Sequence, residues 1–107
     1  MGQYERYQRD SEVLASIGRV LEAQPNQASV RLPRDLAEAA VAAWQRDEQE
    51  PLSAPETPWQ RAVRMHAATL AMIGLKIEQG VTQVDEGVLV AIDAETIHEA
   101  IAASHRP

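Results

Sequence analysis

Cysteine and phenylalanine are absent from this chain, lysine occurs once, at Lys76, and no apolar run approaches the length of a membrane span. Each gap excludes something. Without cysteine there is no disulfide, no thiolate metal site and no thiol nucleophile, which fits a reducing compartment. Without phenylalanine, and with two Trp and two Tyr, the core must be built from aliphatic side chains and alanine. Alanine-lined contacts let helices approach closely but bury little area each. The start Met1-Gly2-Gln3-Tyr4-Glu5-Arg6 has no apolar segment after its charges, so no secretory signal is read there and the expected location is cytoplasmic.

Hydrophobic residues make up 45% of the 107, enough for one modest core and one domain with a radius of gyration near ~13 Å. The formal net charge is −6. Such a balance gives no general attraction to nucleic acid or to anionic membranes, so nucleic acid and membrane are not the expected partners. Positive charge is almost entirely arginine, which with the abundant alanine suits a GC-rich genome of bacterial or phage kind.

The strongest local signal is Thr57-Pro58-Trp59-Gln60. Thr57 suits an N-cap, Pro58 the first helical position and Gln60 a capping box, while Gly80 suits a left-handed stop. Between them Trp59, Val63, His66, Leu70, Ile73 and Ile77 form one face, with Trp59 expected as a core anchor. A second stripe, Met65, Ala68, Met72 and Leu75, lies opposite. Either other helices of the chain cover it or a second copy does.

An earlier stripe, Val13, Leu14, Ile17, Val20 and Leu21, predicts a helix capped by Asp10 or Ser11, with Tyr4 and Tyr7 extending its periodicity upstream. Gly18 inside it is a close-packing point or a weak spot. Ser29 to Pro33 alternates as a short strand does, and Leu36, Ala37, Ala40, Val41 and Trp44 continue as a helix. Residues 48–58, with three prolines and three glutamates, read as an exposed loop between two halves. Around Asp85-Glu86-Gly87 the apolar runs of 81–92 predict a hairpin with a glycine bulge, its second strand the more buried. Asp93 caps a last helix carrying Ile97, Ala100 and Ile101. The fold class is therefore α+β, mainly helical, with about four helices and a two- or three-stranded sheet. Val30 to Ala43 and Val90 to Ala103 echo one another as strand–helix units, whose strands would pair if the echo is structural.

Ser29-Val30-Arg31-Leu32-Pro33-Arg34-Asp35-Leu36-Ala37 resembles the strand and first-helix opening of ribbon-helix-helix repressors and antitoxins, a likeness confined to residues 29–47. The resemblance implies Val30 and Leu32 toward the core and Ser29 and Arg31 toward DNA. A whole helix precedes the strand here and a proline-rich segment stands in place of that family's tight turn.

No residue set suggests catalysis. His66 sits on an apolar helix face, where a hydrogen-bonded packing role is expected. His98 and His105 are two turns apart, too far to share a metal, and Glu95 with His98 makes at most half a site. No glutamate pair is isolated in an apolar setting, and no nucleophile elbow, phosphate loop or metal motif occurs. No cofactor is expected. The expectation is a non-enzymatic regulatory or binding protein, a homodimer with an unidentified protein partner, its interface formed by Arg61, Arg64, Met65, Ala68, Met72 and Leu75.

Overall fold

The computed structural model describes residues 3–25, 29–46 and 55–105. In chain order these form α1 (Gln3–Glu22), β1 (Val30–Pro33), α2 (Arg34–Gln45), α3 (Pro58–Gln79), β2 (Thr82–Val84), β3 (Gly87–Val90) and α4 (Ala94–Ser104). The class is α+β and mainly helical, with one antiparallel sheet of order β1-β3-β2. Most of the 48–58 segment lies outside the described residues, and its last residues lead into α3.

The caps form where side chains dictate them. Thr57 Oγ1 accepts from the Gln60 N–H at 3.1 Å, and Gln60 Oε1 accepts from the Thr57 N–H at 2.9 Å, closing the capping box. Asp93 accepts from the Thr96 N–H at 3.1 Å and from its hydroxyl, which holds the Asp93 carboxyl below its usual range. α1 begins earlier than an Asp10 or Ser11 cap would set it and takes in Tyr4 and Tyr7, whose rings meet edge-on at 5.7 Å. Gly80 ends α3 at φ 155°, ψ 134°, a glycine conformation but not the left-handed helical one.

The hairpin also departs from expectation. Val84 pairs with Gly87 across a two-residue turn, Asp85-Glu86, and Gly87 is not at positive φ. What Gly87 supplies is room: a Cβ there would stand 1.9 Å from the Leu32 carbonyl oxygen of the adjacent strand. The turn in turn closes the start of α2, because the Glu86 carbonyl accepts from the Arg34 N–H at 3.3 Å.

The core is aliphatic. Leu14, Ile17, Leu21, Leu32, Leu70 and Ile73 are fully buried, as are Val30 and Val90, and Ala37, Ala40 and Ala43 of α2 and Ala100 and Ala103 of α4 are buried with them. Each such leucine or isoleucine contributes roughly 1.5–3 kcal/mol by leaving water. On α3 the buried face is Val63, Ala67, Leu70, Ile73 and Gly74. Trp59 is not the expected anchor; it is 51% exposed, because the first turn of α3 extends past the packed layer that begins at Val63.

An approximate internal two-fold organises these contacts. β1 and β3 pair antiparallel about Val30 and Val90, the two strands of the sequence echo. α1 packs on α4 and α2 on α3, with α1 and α3 in contact between them. A Cβ on Gly18 would stand 2.0 Å from the Ala100 carbonyl oxygen, and one on Gly74 2.1 Å from that of Ala40. Beyond these lie Ser104 and Trp44, again matched. At the helix ends His105 pairs with Glu22, while Gln45 Nε2 donates to Glu78 at 2.9 Å. The two long helices carry the same signature, Leu14-Ala15-Ser16-Ile17-Gly18 in α1 and Leu70-Ala71-Met72-Ile73-Gly74 in α3. The chain thus folds as two helix–strand–helix units, with β2 added to the second.

Candidate functional site: the outer face of α3

α3 is held on its buried side by α1, α2 and α4. Its opposite side carries Arg61, Met65, Ala68, Met72, Leu75 and Gln79, spaced alternately by four and three residues. That is the spacing of a narrow helix–helix seam. Met65 is 56% exposed and Met72 45%; Arg61, Ala68 and Gln79 are exposed and Leu75 is half-buried. The second stripe read in the sequence is therefore uncovered by the described residues. Near its N-terminal end it borders a depression of about 390 Å³ lined by Glu56, Pro58, Arg61, Ala62 and Met65.

The internal two-fold supplies a comparison within the same molecule. The matching positions are Glu5, Arg9, Glu12, Ser16 and Arg19 on α1 and Ala23 just past its end, five polar or charged side chains out of six. Most of them are exposed, as a solvated helix face requires. One fold position, used twice, is charged in one half and apolar in the other.

Arg64, expected on a basic rim with Arg61, is instead engaged inside the chain. Its Nε and Nη2 donate to the two Glu56 oxygens at 2.8 and 3.0 Å, a bidentate pair. The Tyr4 hydroxyl donates to the same carboxylate at 2.9 Å. The Arg64 and Tyr4 bonds hold the Glu56 carboxyl below its ordinary range. Desolvation and the bond to Glu56 push the Tyr4 phenol upward. This cluster fastens the chain ahead of α3 onto α1 and α3.

The histidines separate by role. His66 Nδ1 and Ser11 Oγ share a 2.6 Å hydrogen bond between α3 and α1, with both residues half-buried. His98 and Glu95 are exposed on α4, and His105 joins Glu22 at the helix ends. Among the described residues no three His, Cys, Asp or Glu side chains gather as a metal set. Among the described residues no helix is long and apolar enough to cross a membrane.

On β1, Val30 and Leu32 are buried while Arg31 is exposed, as is Ser29 just ahead of the strand. The Arg31 backbone is capped sideways by Gln24, whose Nε2 donates to the Arg31 carbonyl and whose Oε1 accepts from its N–H, both at 2.9 Å. That fork and Pro33, which lacks an N–H, blunt the β1 edge of the sheet against strand addition. A second groove of about 320 Å³ runs between α2 and the sheet, bordered by Arg34, Ala37, Val41, Ile77 and Val88. Arg34 closes one end through Gln83 at 3.0 Å.

Comparison of the chain with family models, with curated proteins and with solved structures finds no match.

Proposed function

We propose that this is a non-enzymatic binding protein of regulatory kind, acting through protein–protein contact at the outer face of α3. The observation that carries the reading is the contrast between the two long helices. Where α1 presents Arg9, Glu12 and Ser16, α3 presents Met65, Ala68 and Met72, at equivalent places in the fold. Exposed methionines on a helix face suit a contact surface, since the flexible thioether adapts to its partner and is depleted of charge. The test compares the immobilised chain with a Met65→Glu, Met72→Glu double variant and with Ser16→Glu on α1. Proteins retained by wild type and by Ser16→Glu, but lost with the double variant, are the expected result. Identical retention by all three removes α3 as the contact surface.

A second reading is the DNA-binding one implied by the ribbon-helix-helix resemblance. It draws on Arg31 being exposed on a strand that pairs antiparallel with β3, with Ser29 exposed just before it. Against it, the residue opposite Arg31 is Leu89, and the chain carries −6 overall. Retention on heparin that falls steeply with salt and is lost in Arg31→Ala would favour DNA; flow-through at low salt excludes it.

A further inference from the structure

We propose that the outer face of α3 is filled by α3 of a second copy of this chain, the two helices running antiparallel about an axis near position 70. This rests on the reading of α3 as the contact face and names its occupant.

Three features of α3 and one of α1 carry the assignment. The exposed residues 61, 65, 68, 72, 75 and 79 make an unbroken seam of alternating four and three steps along nearly the whole helix. A symmetric antiparallel pair matches position 68 with 72 of the partner copy, 65 with 75, and 61 with 79. Each methionine then meets a smaller or softer side chain: Met72 faces Ala68, and Met65 faces Leu75. The charges agree with this direction. Arg61 stands exposed near the N-terminal end of α3, and Glu78 exposed near its C-terminal end. Antiparallel pairing sets that arginine end beside Glu78 of the other copy, while Lys76 on the opposite flank meets Ala62. Parallel pairing would stack Arg61 on Arg61 and set both helix dipoles side by side in the same sense. The flanking ion pairs are exposed and fix direction more than they add affinity. Finally, the matching seam on α1 has acidic and basic residues at alternate positions, Glu5, Arg9 and Glu12, so it stays solvated and does not compete for the same pairing.

Sedimentation equilibrium and cysteine cross-linking test this directly, because the chain has no cysteine of its own. Wild type is expected to be dimeric at high micromolar concentration. Met72→Glu is expected to raise the dissociation constant by roughly a hundredfold or more by placing an unmatched carboxylate in the seam, and Ser16→Glu to leave it unchanged. Both substituted positions are surface ones, and circular dichroism checks that each variant folds. In an oxidised mixture, Met65→Cys should cross-link to Leu75→Cys and not to itself, since two copies of position 65 would lie about 15 Å apart along the axis. A monomeric wild type, a Met72→Glu variant as dimeric as wild type, or Met65→Cys joined preferentially to itself overturns the assignment. In the first of these cases, partner capture that still depends on Met65 and Met72 would leave the face standing with another occupant, so the two failures are told apart.

Discussion

The Glu56 carboxylate is met by three donors from two side chains, two from Arg64 and one from Tyr4, and its side chain is only 5% exposed. Its carboxyl is lowered from 4.5, chiefly by the Arg64 bonds, so its contribution to stability is complete above that pH. It is lost as pH falls through the lower folded-state value. Tyr4 acts in the other direction: raised from 10.0, it contributes below that pH and is lost as pH rises beyond it. Thermal melts of wild type and Glu56→Gln should therefore differ at neutral pH and converge as pH falls below 4.5. A gap that stays constant into acid would mean that packing, and not the charge, holds this segment. Glu56 was legible only as one of several glutamates in a proline-rich stretch, because its partners Tyr4 and Arg64 are brought to it by the tertiary fold. Arg64 was misread for the same reason: a cation on a helix face cannot be assigned to a rim until its counter-ion is placed.

At the scale of elements, most of what was local was readable. Thr57, Gln60 and Asp93 cap helices because their partners are three residues away. Trp59 was not readable, since the pattern defines a face but not where along the helix that face meets the core. Gly87 was misassigned to a turn because a glycine that makes room for a neighbouring strand leaves no different mark in sequence. The matched glycines give the firmest prediction here. Gly18→Ala and Gly74→Ala each gain up to about 1 kcal/mol of helix propensity but drive a methyl into a facing backbone carbonyl. Backbone cannot swing aside as a side chain can, so overpacking wins, with a net loss of about 1–3 kcal/mol or more in denaturant melts. The two losses should be similar, as the contacts are. A stabilised Gly74→Ala would show that α2 and α3 do not cross so closely.

For the whole molecule, the decisive fact is that the second half repeats the first. The strand–helix echo was visible at a separation of 60 residues, but the helix signature recurs at 56, because Gly74 and Val90 stand four positions further apart than Gly18 and Val30. Two different spacings hide one duplication from a search at a single period. With the fold in hand, α1 becomes the reference against which α3 is judged. Its solvated seam makes the apolar one a property of α3 alone. Partner chemistry was legible only as an uncovered stripe, since a single chain records what it leaves exposed and not what arrives there.

The most direct measurement uses the methionines themselves. The chain has three, Met1, Met65 and Met72, so a methyl-labelled methionine spectrum holds three signals, two of them on the proposed face. Raising the protein concentration from low micromolar to millimolar should move the Met65 and Met72 methyl resonances together along one binding curve. If all three stay fixed across that range while the protein remains folded, α3 does not meet a second copy of the chain.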